Sequence, residues 1–137
     1  MKELLEILDA LAGLKVSGER GALATVVRVQ GSAYRREGAK LLITESGQMI
    51  GNISGGCLEG DVLESTRRVI ETGEPVLRQY DLTSEDELVW GFGLGCNGKI
   101  DVFVEPLESA LGSLEKVSEA LTRDAPLVIA TLTHAPA

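Results

Sequence analysis

Apolar positions along the first part of the chain predict one helix followed by three strands. At the N-terminus, apolar residues recur every three to four positions with charged residues between them, which is typical of an amphipathic helix ending between Gly13 and Gly18. The continuous, β-branched run Ala22–Val29 predicts a buried strand. Two shorter runs, Leu41–Thr44 and Gln48–Ile53, flank a turn and predict a hairpin.

The rest of the chain alternates between helical and strand-like patterns. The predicted elements are a helix over Cys57–Glu71, a strand over Val76–Asp81, a strand over Ile100–Glu105, a helix marked by Leu111, Leu114, Val117 and Leu121, and a last apolar strand over Leu127–Thr133. Interspersed helices and strands predict a single domain over residues 1–137, of the α/β or α+β class. We expect a mixed β-sheet flanked by about three helices.

Composition and charge exclude several classes of function. The chain of 137 residues carries a formal net charge of −8 and lacks the basic face that phosphate recognition requires, so we expect no nucleic-acid partner. The same acidity disfavours an anionic membrane surface, and no apolar run reaches the roughly 20 residues that a membrane span needs. Two cysteines are too few for a secreted disulfide scaffold, which favours a cytoplasmic protein with reduced thiols.

The first segment with a chemical signature contains Cys57. Ser54, Gly55 and Gly56 precede it at a predicted strand-to-helix transition, and Glu59 follows. Glycines let a ligand approach the backbone closely, and the N–H groups at a helix N-terminus favour an anion. A thiol at this place is more acidic than a free one, so Cys57 is a candidate nucleophile or soft-metal ligand. A buried thiol beside a tight turn is the alternative.

The second cysteine lies in the glycine-rich sequence WGFGLGCNG. Gly93, Gly95 and Cys96 formally fit the dinucleotide-binding pattern G-x-G-x-x-G, but an acidic loop precedes the pattern and a strand follows it, so we reject that interpretation. A buried thiol in a loop is again the alternative. Because the chain's two cysteines both lie among glycines, we hypothesise a shared site, although a Cys57–Cys96 disulfide would also explain the arrangement. A zinc site needs about four ligands, and His134 is the single histidine. The two cysteines and this histidine therefore supply a Cys/His zinc site poorly.

Two further segments carry candidate binding residues. Arg35 and Arg36 lie in a glycine-bounded loop, where guanidinium groups could clamp a phosphate, with a solvated surface loop as the alternative. Asp81 ends a predicted strand, where its carboxylate could accept hydrogen bonds from a ligand or belong to a solubilising loop. The sequence contains no glycine-lysine phosphate loop and no convincing Ser-His-Asp set, so kinase and hydrolase chemistry lacks support.

The chain contains, in this order between Leu23 and Leu107, the stretches GSAYRREGAKLLI, GNISGGCLEGDV, ETGEPVLRQYDLT and WGFGLGCNGKIDVFVEPL. Together they resemble the XdhC/CoxI family, the xanthine dehydrogenase accessory proteins. The resemblance implies a protein that binds molybdenum cofactor (molybdopterin) transiently, assists its sulfuration with a cysteine desulfurase, and delivers it to a xanthine dehydrogenase-type molybdenum hydroxylase. Family members typically continue into a C-terminal Rossmann domain, which this chain, ending at Ala137, is expected to lack.

The resemblance also implies roles for the residues singled out above. Cys57 and Cys96 are the expected reactive residues and metal ligands. The residues expected to contact the cofactor are Arg35, Arg36, Ser54, Gly55, Gly56, Cys57, Glu59, Gly93, Gly95 and Cys96. We therefore expect a cofactor chaperone rather than an enzyme. Two alternatives stay open, a thiol–disulfide redox protein using both cysteines and an interaction module that docks the hydroxylase or the desulfurase. The apolar last strand leaves room for a homodimer.

Overall fold

The computed structural model describes residues 2–33, 35–54, 58–81 and 97–132, which form three helices and one five-stranded sheet. In chain order the elements are α1 (Lys2–Ser17), β1 (Gly21–Ser32), β2 (Lys40–Thr44), β3 (Met49–Gly51), α2 (Glu59–Thr72), β4 (Val76–Asp81), β5 (Asn97–Pro106) and α3 (Leu107–Arg123). The strand order in the sheet is β3–β2–β1–β5–β4. None of the helices in these ranges is long and apolar enough to span a membrane.

Every strand pairing within the described ranges is antiparallel. The predicted class, one sheet flanked by three helices, is confirmed. We expected a mixed sheet with parallel as well as antiparallel pairs, whereas the described pairs are all antiparallel. The connections explain this difference. The pairs β1–β2, β2–β3 and β4–β5 are each consecutive in the chain and reverse direction, whereas α2 carries the chain from one edge of the sheet to the other.

The sheet separates two apolar layers because successive side chains of a strand point to opposite faces. One layer lies under α2. Its buried residues are Ala22, Ala24, Val26, Ala39, Leu41, Ile43, Ile53, Leu58, Val62, Val69, Ile100, Val102 and Val104. The other layer lies under α1 and α3. Its buried residues are Ile7, Leu11, Leu14, Leu23, Leu42, Leu107, Ala110 and Leu114. The central strand β1 supplies both layers.

The prediction of a last strand is wrong. Residues 127–132 form no strand, and the large apolar side chains among them are exposed. The apolar residues of this segment follow the same pattern as those of β1. A strand, however, needs a neighbour to satisfy its backbone groups, and none of the five described strands pairs with it. The other predicted helices and strands are present, with ends that differ by a few residues.

Close backbone packing requires the glycine at the end of β3. Gly51 has a φ of +103°, and a Cβ atom there would lie 2.3 Å from the carbonyl oxygen of Lys40. The next residue, Asn52, donates its backbone N–H to the same oxygen at 3.1 Å. Gly51 therefore lets the chain leave the sheet and begin the segment that leads to α2.

Gly112, by contrast, is expected to be replaceable. It lies inside α3, and a Cβ atom there would meet no neighbouring group within 4 Å. Because glycine is about 1 kcal/mol less favourable than alanine inside a helix, we expect Gly112→Ala to raise the free energy of unfolding by about 1 kcal/mol. Chemical denaturation followed by circular dichroism measures this change, and a loss of stability would contradict the prediction.

Candidate functional site

Three stretches of chain next to predicted site residues leave the sheet at one end. Ser32 at the end of β1 lies opposite Asn97 at the start of β5. Asp81 at the end of β4 lies opposite Lys99. Three stretches therefore start from the same end of the sheet: the chain before Asn97, the chain after Asp81 and the loop after Ser32. We term this end of the sheet the site end.

Several predicted site residues lie outside the described ranges. They are Gly55, Gly56, Cys57, Gly93, Gly95 and Cys96. The shared site for both cysteines therefore stays a prediction. Among the residues that the structure does describe, no three His, Cys, Asp or Glu side chains group as a metal site would require. The contacts of the bordering residues show how the segments are anchored.

Ser54 and Glu59 hold together the two ends of the segment that contains Cys57. The Glu59 carboxylate accepts hydrogen bonds from the backbone N–H groups of Ile53 (3.3 Å), Ser54 (3.1 Å) and Leu58 (3.3 Å), and from the Ser54 hydroxyl. The hydroxyl oxygen of the buried Ser54 accepts from the N–H of Leu58 at 2.8 Å. We term this arrangement the Ser54–Glu59 clamp. It bridges the residues before and after positions 55–57.

The clamp depends on the charge of Glu59. Burial alone would raise the pKa of Glu59, but hydrogen bonds from the side chain and backbone of Ser54 and from Ile53 outweigh it and hold the pKa below the usual 4.5. A carboxyl group whose pKa is lowered by folding contributes stability above its unfolded pKa. That contribution is lost as the pH falls through the folded value.

We therefore expect a pH-dependent difference in stability between the native chain and Glu59→Gln. The difference should be largest above pH 4.5 and should shrink as the solution is made more acidic than that. Urea titrations at neutral and at acidic pH measure it. A difference that stays constant with pH would show that the carboxylate charge does not hold the clamp.

A second contact joins the first turn of α2 to the end of β4. The hydroxyl of Tyr80 donates to Asp61 at 2.5 Å, and the guanidinium of Arg78 lies 3.7 Å from the same carboxylate. Burial and the bond to Asp61 raise the pKa of Tyr80 to about 12, so its hydroxyl keeps its proton near neutral pH. Because Tyr80 lies opposite Ile100 of β5, this contact brings the start of α2 to the site end.

Arg35 connects the loop after β1 to α1 and to the segment that leads to α2. Its guanidinium donates to both carboxylate oxygens of Glu3, at 2.7 and 3.1 Å, and to the carbonyl oxygen of Asn52 at 2.7 Å. Burial would raise the pKa of Glu3, but hydrogen bonds from Arg35 and from the backbone of Lys40 lower it. These contacts give Arg35 a structural role that is independent of any ligand.

Arg36 is the more accessible of the two arginines. Its side chain is 69% exposed, and its guanidinium lies 3.7 Å from Glu37. Both arginines line an open depression of about 470 Å³ together with Glu3 and Lys40. Phosphate binding by these two arginines stays a prediction. Arg36 would supply the accessible positive charge.

Comparisons with known proteins decide the family. The sequence model of the XdhC and CoxI family matches residues 14–81. A Bacillus subtilis (strain 168) protein named as a probable subunit of xanthine dehydrogenase is 43% identical over 116 residues, which cover 84% of this chain and 34% of that protein. The chain belongs to the XdhC and CoxI family.

Two further similarities support membership of the XdhC and CoxI family. The molybdenum cofactor insertion chaperone PaoD of Escherichia coli (strain K12) is 30% identical over 95 residues, which cover 69% of this chain and 29% of PaoD. A crystal structure of a xanthine dehydrogenase from Bacillus halodurans has a TM-score of 0.74 and 41% identity, covering 90% of this chain and 36% of that one. The chain thus spans about a third of the length of these relatives.

Three residues with contacts described above were not singled out by the sequence. Asp61 and Tyr80 fall within the region matched to the XdhC and CoxI family, whereas Glu3 precedes it. The sequence holds a weak signal for Asp61, because an acidic residue in the first turn of a helix is usually explained by the helix dipole alone. Tyr80 directly precedes Asp81, the candidate at the end of the same strand.

Proposed function

We propose that this XdhC and CoxI chain is an accessory protein that binds molybdenum cofactor and delivers it to a xanthine dehydrogenase-type hydroxylase. The observation that carries the proposal is that Asp61, in the first turn of the helix that follows Cys57, contacts Tyr80, which lies beside the start of the segment that contains Cys96. The relatives support it, since one is named as a probable part of a xanthine dehydrogenase and another as a molybdenum cofactor insertion chaperone. The cofactor is cargo, bound transiently and passed on.

The chemistry of the predicted site residues suits such a cargo. Thiolates are good ligands for soft metal centres, and Cys57 and Cys96 supply two of them. The exposed guanidinium of Arg36 suits a phosphate group. The Ser54–Glu59 clamp holds the residues on both sides of positions 55–57, and bordering residues that are ordered in advance lose less conformational entropy when a ligand binds.

The proposal includes the partners and the compartment that such a role requires. A cysteine desulfurase would supply sulfur to the bound cofactor, and the cytoplasm would keep both thiols reduced. The proposed role of this chain is to bind and transfer the cofactor, so we assign no catalytic turnover to it. A homodimer is also included.

Anaerobic purification from cells that make molybdenum cofactor tests the proposal. We expect pterin, measured by fluorescence after oxidation, and molybdenum, measured by mass spectrometry, to co-purify with the native chain. Cys57→Ser and Cys96→Ser should each lose most of both without a change in melting temperature. Arg36→Ala should lower the cofactor content, whereas Arg67→Ala, an exposed arginine near Glu45 on the hairpin, should leave it unchanged.

The same preparations distinguish the alternatives. A native chain that carries neither pterin nor molybdenum overturns the proposal. Reversible pairing of Cys57 with Cys96 in thiol titrations, with no affinity for the cofactor, would indicate a thiol–disulfide redox protein. Partner binding and cofactor insertion that survive both serine substitutions would indicate an interaction module.

A further inference from the structure

A network of hydrogen bonds begins at Glu3 in the first turn of α1. The guanidinium of Arg35 donates to the Glu3 carboxylate through two nitrogens, Nη1 at 2.7 Å and Nη2 at 3.1 Å. A contact with two parallel bonds fixes the plane of the guanidinium, because rotation would break both bonds. The same Nη1 atom also donates to the carbonyl oxygen of Asn52 at 2.7 Å. Glu3 therefore orients Arg35 toward the segment that leads to α2.

The first residue of β2, Lys40, closes this network into a ring. Its backbone N–H donates to Glu3 at 3.4 Å, and its carbonyl oxygen accepts the N–H of Asn52 at 3.1 Å. The side chains of Arg35 and Glu3 are 31% and 25% exposed, so water competes less for their bonds than for those of an exposed ion pair. The ring joins α1, the loop after β1, the start of β2 and the residue that follows β3.

Asn52 connects this ring to the Ser54–Glu59 clamp. Its side-chain oxygen accepts the N–H of Ser54 at 3.0 Å. The hydroxyl oxygen of Ser54, in turn, accepts the N–H of Leu58, the N-cap residue of α2, at 2.8 Å. An unbroken series of hydrogen bonds therefore runs from the first turn of α1 to the start of α2, between residues that lie far apart in the sequence.

We propose that Glu3 and Arg35 are positioning residues for the cofactor site. Through Asn52, they hold the residues on both sides of the segment that contains Cys57. This inference deepens the proposed function and rests on it for the effect on cofactor binding. It gives the two adjacent arginines different tasks: Arg35 holds Asn52 in place, whereas the exposed Arg36 contacts the phosphate of the cofactor.

Removal of the Glu3 carboxylate separates a positioning role of Arg35 from a ligand role. If the guanidinium bound phosphate, Glu3 would compete with that phosphate, and Glu3→Ala would preserve or raise the cofactor content. If the guanidinium holds Asn52, Glu3→Ala lets it rotate away. We expect Glu3→Ala and Arg35→Met each to lower the pterin content of anaerobically purified protein by about threefold or more. Arg35→Lys should not restore it, because an ammonium cannot make the two parallel bonds.

Arg20 and Glu45 supply a matched control at the other end of the sheet. The guanidinium of Arg20 also donates to both carboxylate oxygens of Glu45, at 2.6 and 3.4 Å, and to the carbonyl oxygen of Ile70 at 3.4 Å. This ion pair lies beside the paired residues Gly21 and Thr44, at the end of β1 and β2 that is opposite the site end. Glu45→Ala should therefore leave the pterin content unchanged.

Amide hydrogen exchange of the cofactor-free chain, followed by nuclear magnetic resonance, tests the network by itself. The N–H groups of Asn52, Ser54 and Leu58 should exchange about threefold or more faster in Glu3→Ala than in the native chain. The N–H groups that pair β1 with β5 report any change in global stability and should be unaffected. Glu3→Gln keeps one acceptor oxygen and should give a smaller acceleration, and Glu45→Ala should give none at these three positions.

The two measurements fail in different ways. Unchanged exchange at Asn52, Ser54 and Leu58 in both Glu3 variants would overturn the positioning network, whatever the pterin content is. Faster exchange together with a preserved or raised pterin content in Glu3→Ala would also overturn the positioning role and would assign Arg35 to the phosphate. A native chain that carries no cofactor overturns the proposed function, and hydrogen exchange then still decides whether Glu3 and Arg35 hold the segment before α2.

Discussion

Leu42→Ala is expected to lower the free energy of unfolding by about 2–5 kcal/mol. Leu42 lies on β2, opposite Leu23 of β1, and it is fully buried in the layer under α1 and α3. The substitution removes apolar burial and leaves a cavity, because the paired strands on either side of Leu42 restrict how far the surroundings can relax. Urea denaturation followed by circular dichroism gives the value.

Leu5→Ala is the matched control for this measurement. Leu5 lies on α1 with 48% of its surface exposed, so the same change in side chain should cost about 1 kcal/mol or less. Alanine is also a better helix former than leucine, which offsets part of the loss. Similar losses in the two variants would argue against the packing described for β2.

Glu59→Ala is expected to lower the free energy of unfolding by about 2–4 kcal/mol. The change removes the acceptor for the N–H group of Ile53 and for the Ser54 hydroxyl, and one of two acceptors for the N–H groups of Ser54 and Leu58. A buried donor that loses its partner costs about 1–3 kcal/mol, and water that enters the vacated space recovers part of the total. Equilibrium denaturation at neutral pH measures the loss.

Glu64→Ala is the control for the clamp. Glu64 is an exposed glutamate on the same helix, and its substitution should change stability by no more than about 0.5 kcal/mol. If Glu59→Ala were as mild as Glu64→Ala, the clamp would contribute nothing to the fold. The comparison isolates the hydrogen bonds of Glu59 because both variants remove a carboxylate from α2.

The elements of the fold could be predicted where the sequence pattern itself determines the packing. The stripe at Leu111, Leu114, Val117 and Leu121 predicted α3, since helical spacing places these residues on one face. The same criterion wrongly predicted a strand over Leu127–Thr133, because the apolar pattern of this run matches that of β1. A strand also needs a partner, and the pattern of one segment carries no information about which partner is present.

The site could be predicted less well, because its contacts join residues that lie far apart along the chain. Arg35 was singled out for a phosphate, and its charge suits that role, but its partner Glu3 on α1 could not be inferred from the loop sequence. Glu59 was singled out as a ligand contact. Its bonds to Ser54 are local, but the five-residue spacing differs from the three-residue spacing of a capping box, so the pattern gave no signal for them.

The position of β1 at the centre of the sheet has a consequence for synthesis. Ala24 pairs on one side with Leu41, which follows soon after it, and on the other side with Val104, which is made much later. On the ribosome, the first hairpin can therefore form early, while the second edge of β1 stays open until β5 emerges. Pairings of such large sequence separation slow folding, and the open edge leaves the nascent chain vulnerable to aggregation during that interval.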